Sequence, residues 1–417
     1  MEHNRPIIFV TDVAPEPARK GSQARNRDLL MHLHDSGYQV HVLFQQDRVH
    51  SRAAAFFLKY TSRFTVTPSA PLAKRIHDYL VWRLSHSGVG NGLLNLIRYS
   101  VGRKAIPFHK PYTGANEDIA CSPTHCSPET RAALQRMVTE LQPRAIIVSY
   151  AYMAECMTDL STSALLLLDT LDVAHLRTRR LLEQGLDTGW MVSYEEECRL
   201  LHYFDVIIAI QESEAEVFRE MAPELQVITA GVSYPIRQAS PNPKKDRILI
   251  VGSRASSNVH GLQRFLEEAW PKVRQACPDA ELDICGTVSA GIKKRYAGVK
   301  RRGVVADLTP YYDNAEVLIN PVWIGSGLKT KTVEALSFGK ALITTPCGIE
   351  GMTPSPAKAC RIAEDAEGLA EHIIELLQSP AARESLEAAA YDYAARWLSP
   401  AAVYKQLDIV LAQEKHA

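Results

Sequence analysis

The stretch Gly325-Ser-Gly-Leu-Lys-Thr-Lys-Thr-Val-Glu334-Ala-Leu-Ser-Phe-Gly339-Lys-Ala-Leu-Ile-Thr-Thr345 predicts a Gly-rich loop, a helix of about three turns, a Gly stop and a short apolar strand. Val317-Leu-Ile-Asn-Pro321, just before it, predicts another buried strand, so the whole forms a βαβ unit. Glycines between a strand and a helix let the backbone approach a ligand and leave free amides. The stretch therefore predicts an anion site suited to a diphosphate.

The helix that follows this loop carries a cation and a carboxylate at helical spacing. If it begins near Gly327, the 3.6-residue period places Gly327, Lys331 and Glu334 on one face. A lysine beside phosphates, and a carboxylate that accepts paired bonds from ribose hydroxyls, would suit a nucleotide sugar. The alternative is a surface helix on which Lys331 and Glu334 form a weak ion pair.

Several spaced motifs in this half of the chain occur together in one known family. They are Asp307-Leu-Thr-Pro-Tyr-Tyr-Asp-Asn-Ala315, Asn320-Pro321, the Gly-rich loop with its helix, and Thr344-Thr-Pro-Cys-Gly-Ile-Glu-Gly351. In this order they resemble the donor-binding half of family 4 glycosyltransferases, strongly over residues 247–352 and loosely in the first half. The resemblance implies an α/β chain of GT-B architecture, with two Rossmann-like domains facing across a cleft.

The same resemblance implies an activity. A retaining, metal-independent hexosyltransferase would move a sugar from a UDP- or GDP-sugar to a glycan or lipid-linked acceptor, in cell-surface polysaccharide or glycolipid synthesis. No separate cofactor is expected. Ser326 stands where the common family pattern has a glutamate that touches the donor sugar, which leaves the donor's identity open. Two alternatives remain: a nucleotide-sugar epimerase of the same fold, and a catalytically silent protein that binds a sugar or a partner.

Donor-binding residues follow from the resemblance, position by position. Gly252 and Arg254 follow the predicted strand Arg247-Ile-Leu-Ile-Val251, although Ser253 intervenes where the family often has an arginine directly after the glycine. In the family, main-chain groups near Gly303-Val-Val-Ala-Asp307 hold the base. The donor-side set is Gly252, Arg254, Gly286, Ser326, Gly327, Leu328, Lys329, Lys331 and Glu334, with Val305 and Leu308 as weaker candidates.

The first half opens as strand, loop, helix, strand, which is typical of a Rossmann-like domain. A nicotinamide site would need G-x-G-x-x-G directly after the first strand, and only Gly21 is present there. In the resembled family this loop faces the donor phosphates across the cleft. Gly21, Ser22 and Arg25 are therefore candidates for the acceptor-side loop, and the alternative is a plain loop and helix cap.

A second polar loop, Asp169-Thr-Leu-Asp172-Val-Ala-His175, follows the buried run Ala164-Leu-Leu-Leu-Leu168, and ligands bind at such strand ends. Many family members carry a histidine here that approaches the donor sugar. The catalytic candidates are therefore Asp172, His175 and Lys331; the alternative for the aspartates is helix capping. No Asp-x-Asp pair sits convincingly after a strand, so no metal is expected.

Length and composition set the domain organisation. With 417 residues, two domains are expected. We predict an acceptor-binding domain over 1–235 with an insertion at about 51–130, a linker at 236–246, a nucleotide-sugar domain over 247–397, and a helix at 398–417 that packs back on the first domain. No apolar run of membrane-spanning length and no apolar signal-peptide core were found, which predicts a cytoplasmic protein.

Charge is segregated along the chain. The formal net charge is zero, which disfavours a general nucleic-acid binder. Residues 51–110 nevertheless contain ten lysines and arginines against one acid, Asp78, interleaved with aromatic and aliphatic residues. This segment predicts contact with an anionic membrane surface or a phosphate-bearing lipid acceptor, so that the protein would be peripheral on the inner face of the membrane. The alternative is a solvated basic face on ordinary helices.

Overall fold

The computed structural model describes residues 5–16, 21–69, 125–183, 190–325 and 327–413. Two parallel sheets divide the chain, as apolar runs bounded by loops and helices predict. The first sheet has seven strands in the order β3-β2-β1-β4-β5-β6-β7. Its strands are β1 Ile7–Thr11, β2 Val40–Gln45, β3 Arg63–Thr67, β4 Ala145–Ser149, β5 Leu165–Asp169, β6 Val206–Ala209 and β7 Gln226–Thr229.

The second sheet has six strands in the order β10-β9-β8-β11-β12-β13, again all parallel. In both sheets the strand order reverses once, between β1 and β4 and between β8 and β11, as in Rossmann-like domains. The strands are β8 Arg247–Val251, β9 Glu281–Cys285, β10 Val299–Gly303, β11 Val317–Asn320, β12 Ala341–Thr344 and β13 Arg361–Ile362. The predicted two-domain α/β architecture is confirmed.

Helices cover both faces of each sheet. Those of the first half are α1 Gly21–Asp35, α2 Ser51–Tyr60, α3 Pro128–Leu141, α4 Ala174–Glu183, α5 Tyr194–Leu201 and α6 Glu212–Met221. Those of the second half are α7 Ser256–Arg264, which continues through a π turn at Phe265–Ala269 into α8 Trp270–Ala276, then α9 Thr309–Asn314, α10 Thr330–Ser337, α11 Ala366–Gln378, α12 Pro380–Trp397, α13 Pro400–Val403 and α14 Lys405–Ala412.

The end of the chain packs on the first sheet. Tyr404, Leu407, Val410 and Leu411 are buried in the same cluster as Ile7 and Phe9 of β1 and Val42 and Phe44 of β2. The sequence predicted one helix at 398–417, but the structure breaks it at Tyr404 into α13 and α14. Tyr404 is fixed against the first domain because its hydroxyl donates to Asp28 of α1 and its ring stacks on His32 at 4.3 Å.

The helix after the Gly-rich loop is shorter than predicted. It begins at Thr330 rather than near Gly327, and it ends at Ser337. Gly325 and Gly327 have φ of 149° and 76°, values outside the helical region, so the loop runs three residues further along the chain. Lys331 and Glu334 still share a face of α10, but the prediction that Gly327 lies on that helix face is wrong.

Most of the predicted insertion, at residues 70–124, lies outside the described residues, as do Ser326 and most of the basic segment. Of the basic segment the structure describes residues 51–69, which form α2 and β3. Across the described parts of the chain, none of the helices combines the length and apolar character needed to cross a membrane.

Candidate functional site

A cleft of about 760 Å³ lies between the two sheets, at the carboxyl ends of the second sheet's strands. Its size is that of a pocket for a small-molecule ligand. Elements of both domains line it: α1, α2, the linker after β7, the loops after β8, β9 and β10, and the start of α10. Of the residues named from the sequence, the lining contains Gly21, Gly252, Gly286, Val305, Leu308, Leu328, Lys329, Lys331 and Glu334.

Two glycines bring the loops after β8 and β9 into direct contact. The amide of Val288 donates to the carbonyl of Gly252 at 3.1 Å. Gly286 has a φ of 91°, and a Cβ on it would lie 2.2 Å from the same carbonyl oxygen. No side chain fits there, so the bare backbone of Gly252 and Gly286 forms this wall of the cleft.

Lys331 is held in the cleft by Asn258 of α7, which is itself bonded to the loop after β8. Its ammonium group donates to Oδ1 of Asn258, and the Asn258 amide donates to the carbonyl and hydroxyl of Ser253, each at 3.1 Å. Burial, and after it the positive charge of Lys329, lower the pKa of Lys331 to about 7. An added anion would reverse both effects, because it would restore a partner for the ammonium charge.

Lys329 precedes α10 and has a different environment. Its ammonium group donates to the carbonyl of Gly327 at 2.6 Å and pairs with Glu350 at 3.2 Å. Thr330 and Lys331 form the first turn of α10, where amides have no acceptor within the helix. Two ammonium groups and these amides therefore lie together at one end of the cleft, which is an anion-binding arrangement.

Glu334 lies one turn further along α10, against Tyr312. Burial raises the pKa of Glu334 to about 7, while a hydrogen bond from Tyr312 and the charge of Arg27 act in the opposite direction. Tyr312 is itself buried and stacks on Phe338 at 4.1 Å. A carboxyl group held in this way could accept hydrogen bonds from hydroxyl groups of a ligand, so the surface-pair alternative for Lys331 and Glu334 is not favoured.

On the first-domain side, the helix α1 faces the second domain across a short gap. A Cβ on Gly21 would lie 3.6 Å from the Thr330 methyl group, so the start of α1 meets the start of α10. Arg27 and Asp28 also line the cleft. Asp28 accepts hydrogen bonds from the Ser233 amide at 2.7 Å and hydroxyl at 2.6 Å, which fixes the chain where it leaves the first sheet.

Arg25 does not face the cleft, contrary to the sequence analysis. It is fully buried, pairs with Asp169 at 2.9 Å, and donates to the Gly231 carbonyl and to Tyr404. Position 25 lies one and two turns before Leu29 and Leu33, both of which are buried, and so it shares their inward helix face. Ser22 is also absent from the lining, and its side chain hydrogen bonds to Tyr150.

The predicted catalytic pair Asp172 and His175 does not reach the cleft lining either. Glu197 accepts hydrogen bonds from the His175 amide at 2.7 Å and from the ring Nδ1 at 2.8 Å. His175 is thereby a buried part of the start of α4. Asp172 is half-buried and pairs with Arg177 at 2.9 Å, and burial raises its pKa.

Three other donor-side candidates differ in their placement. Arg254 is exposed and outside the lining, and its amide donates to the Thr287 hydroxyl at 2.8 Å. Gly327 is absent from the lining and lies beside Glu214 of α6, whose carboxyl oxygen would be 3.6 Å from a Cβ at that glycine. Ser326 lies outside the described residues.

Several lining residues were not identified from the sequence. They come from α1, α2, the linker and α7: Arg27, Asp28, Arg52, Arg237 and Asn258. Arg27 carried a usable signal, because it lies on the face of α1 opposite Leu29 and Leu33. Asn258 carried none, since its role depends on Lys331, which is 73 positions away.

Among the described residues, no group of three or more histidine, cysteine, aspartate or glutamate side chains is arranged to hold a metal ion. None of the described cysteines forms a disulfide with another described cysteine.

Comparison with known proteins agrees with this geometry. Residues 245–379 match the family model described as Glycosyl transferases group 1. The match lies on β8 to α11, the elements that bring Gly252, Lys331 and Glu334 together, and it is the stretch in which the sequence resembled glycosyltransferases.

A curated relative matches about a third of the chain. An uncharacterised 44.6 kDa protein in the cps region of Klebsiella pneumoniae is 27% identical over 155 residues. The alignment covers 34% of this chain and 40% of the relative. The chain thus spans about two fifths of the length of the curated relative it matches.

Solved structures match over nearly the whole chain. Anabaena HepE, crystallised with UDP and glucose, is 11% identical with a TM-score of 0.64, over 98% of this chain and 100% of its own. Staphylococcus aureus TarM is 10% identical with a TM-score of 0.64, over 99% and 100%. Sucrose-phosphate synthase of Thermosynechococcus elongatus is 16% identical with a TM-score of 0.62, over 98% and 98%. These likenesses confirm the predicted GT-B fold.

Proposed function

We propose that this protein is a glycosyltransferase that moves a hexose from a nucleotide-diphosphate sugar to a glycan or lipid-linked acceptor. The observation that carries the proposal is the joint placement of Lys331 and Glu334 in the interdomain cleft, one turn apart on α10. Lys331 and the first-turn amides suit a diphosphate, and the Glu334 carboxyl group suits ribose hydroxyls. The group 1 family match of the same residues supports it.

The proposed chemistry uses the cleft's positive charge. In the transfer, the bond between the sugar's anomeric carbon and the diphosphate oxygen breaks, and the diphosphate leaves with the bonding electrons. Lys331, the first-turn amides of α10 and Lys329 lie where they could stabilise that charge. The acceptor hydroxyl forms the new bond and its proton passes to the departing diphosphate. We propose retention of configuration and independence of metal, as the resemblance implies.

A uridine or guanosine diphosphate sugar is the proposed donor. HepE and TarM, which share the fold, were both crystallised with UDP, and this supports the uridine form. The relative described in the cps region of Klebsiella is consistent with our proposal that the product belongs to cell-surface polysaccharide or glycolipid synthesis.

The first test is calorimetric titration of the full chain with UDP, GDP and ADP without metal, beside Lys331→Ala. We expect selective binding of one nucleotide and weaker binding in the variant. The matching nucleotide sugar is then incubated with the protein, with and without candidate acceptors. Accumulation of an isomeric nucleotide sugar would indicate an epimerase instead, and absence of nucleotide binding would overturn the proposal in favour of a silent partner-binding protein.

We also propose that the basic segment 51–110 places the enzyme on an anionic membrane surface. In its described part, Leu58 on α2 is 75% exposed beside Lys59, while Phe56 and Phe57 are buried. Lys74, Arg75 and Arg83 lie outside the described residues. Replacing these three by glutamine should reduce sedimentation with vesicles of phosphatidylglycerol, and unchanged sedimentation would favour a solvated basic face.

A further inference from the structure

The strand order of the first sheet reverses between β1 and β4, as that of the second does between β8 and β11. Ligands of open α/β sheets bind outside the strand ends at such a reversal. The reversal in the second sheet lies at the cleft already described. At the reversal in the first sheet, Asp12 directly follows β1 and Tyr150 directly follows β4.

Aromatic rings gather at this second position. Tyr150 stacks on Tyr152 with ring centres 4.7 Å apart and planes 18° apart. The Trp190 ring meets Tyr152 edge-on at 5.7 Å, and the His125 ring lies 4.9 Å from it. Among the described residues, the stack on Tyr152 is the only ring contact of Tyr150, which is half-buried. Such rings offer flat apolar surfaces to a ligand.

Polar groups with unused capacity surround these rings. The Tyr152 hydroxyl donates to Asp12 at 2.8 Å, which leaves the second Asp12 oxygen able to accept. Asp172 accepts from Arg177 at 2.9 Å. Trp190 is 6% exposed, and its indole N–H has no hydrogen-bond partner in the part of the chain that the structure describes. A buried N–H group without a hydrogen-bond partner is rare in proteins, and a ligand oxygen could accept this hydrogen bond.

The backbone at the strand ends is strained. Tyr150 has a φ of 73° and Leu171, directly before Asp172, has a φ of 61°. Positive φ costs on the order of 1–3 kcal/mol for a residue other than glycine, and such strain is concentrated at binding and catalytic sites. Here it lies at two neighbouring strand ends, β4 and β5, and sets the position of Tyr150 and Asp172.

This group of residues adjoins the cleft. The Ser22 side chain hydrogen bonds to Tyr150, while its neighbour Gly21 faces Thr330 of the second domain. At the start of α1, therefore, one residue contacts the aromatic rings and the residue before it faces the second domain across the cleft. A ligand on Tyr150 would lie on the acceptor side of the cleft.

We propose that Asp12, Tyr150, Tyr152, Asp172 and Trp190 form a subsite for a neutral pyranose ring of the acceptor. The apolar face of the sugar lies on Tyr150, its hydroxyls donate to the two carboxylates, and a ring or hydroxyl oxygen accepts from the Trp190 indole. Among the described residues of the subsite, the charge of Arg177 is balanced by its ion pair with Asp172 at 2.9 Å, which favours a neutral sugar over a phosphate or a uronate. The inference rests on the proposed function only in identifying this sugar as the acceptor.

Saturation-transfer NMR on the full chain with UDP present tests the subsite. The probes are the methyl glycosides of glucose, galactose, mannose and rhamnose, with glycerol phosphate as the anionic comparison. We expect at least one glycoside to bind. Tyr150→Ala should weaken it by about tenfold or more, and Tyr150→Phe, which keeps the ring, by less than about threefold. The matched control is Tyr296→Ala, in the second domain beside Lys294.

The UDP affinity of each variant, measured in parallel, should stay within about twofold of the wild type, because the residues that line the cleft are unchanged. If no glycoside binds, if Tyr150→Ala binds as well as the wild type, or if glycerol phosphate is preferred, the subsite is refuted. If the glycoside binds at Tyr150 but no nucleotide binds, the subsite stands and the proposed transferase does not.

Discussion

The ammonium group of Lys331 donates to Oδ1 of Asn258, which lies 73 positions earlier, on α7. Asn258 is anchored by two hydrogen bonds to Ser253, which comes directly after the glycine that follows β8. The contact ties the start of α10 to the strand end on the other side of the reversal point. It places a lysine of lowered pKa at the position where a diphosphate would enter.

Lys331→Met should weaken binding of UDP or GDP by about 10- to 100-fold, since a hydrogen bond to a charged group contributes about 1.5–3 kcal/mol. Because its pKa is lowered to about 7, free Lys331 loses its proton as the pH rises above 7. Wild-type affinity should therefore fall between pH 6 and 8.5, and this dependence should flatten in the variant. Titration calorimetry at four pH values measures both; Lys294→Met, an exposed lysine, is the control. Equal pH dependence in the variant would exclude Lys331.

Glu334→Gln should weaken nucleotide binding and yet stabilise the protein at alkaline pH. Burial raises the pKa of Glu334 to about 7, so the folded state retains a proton that the unfolded state releases above about pH 4.5. The stability that the protonated Glu334 carboxyl group contributes to the wild type is present at low pH and is lost as the pH rises through 7. Urea unfolding at pH 5 and 8 should show the variant gaining on the wild type at pH 8. Glu384→Gln, an exposed glutamate, should show no such gain.

Arg25→Ala should destabilise the first domain by about 3–5 kcal/mol, because it leaves the buried Asp169 without its partner. Arg27→Ala, two positions along the same helix, should change the unfolding free energy by less than about 1 kcal/mol, since Arg27 lies at the cleft. Urea unfolding monitored by circular dichroism compares them. A stable Arg25→Ala variant with impaired transfer would restore the cleft role that the sequence suggested.

Gly286→Ala should destabilise the second domain strongly and abolish nucleotide binding. The added Cβ would lie 2.2 Å from the Gly252 carbonyl oxygen, at a residue with a φ of 91°. Gly303→Ala is the matched control, because its φ is 70° but no atom lies within 4 Å of the new Cβ. The control should cost only the backbone strain, about 1–2 kcal/mol. Thermal unfolding of both variants measures the difference; equal effects would show that strain alone, not the clash, is responsible.

Much of the donor side could be predicted from local pattern. Gly252, Gly286 and the loop before α10 follow apolar runs, and parallel strands bring their carboxyl ends to one edge of the sheet. The start of α10 could not be predicted, because Gly325 and Gly327 adopt positive φ and delay the helix to Thr330. Sequence spacing alone does not report whether a glycine continues a helix or turns the chain.

The candidate site residues of the first domain were harder to predict from the sequence. His175 follows a strand end, as a catalytic residue often does. Its amide and ring nevertheless hydrogen bond to Glu197 of the next helix, and the side chain is buried. Tyr150 and Tyr152 carry no local signal of a site, because Asp12 lies far from them in the chain and only the reversal of strand order brings it beside them.

The sequence by itself determined the order of strands and helices and the position of the Gly-rich loop, while the GT-B fold followed from its resemblance to family 4 glycosyltransferases. The strands, helices and loop depend on alternation, helical period and glycine, which act over a few residues. Only the tertiary structure decided that Arg25 is buried, that Asn258 holds Lys331, and that Tyr150 lies beside the cleft. Each of these depends on packing between elements distant in the chain, and the same side chain would behave differently against another neighbour.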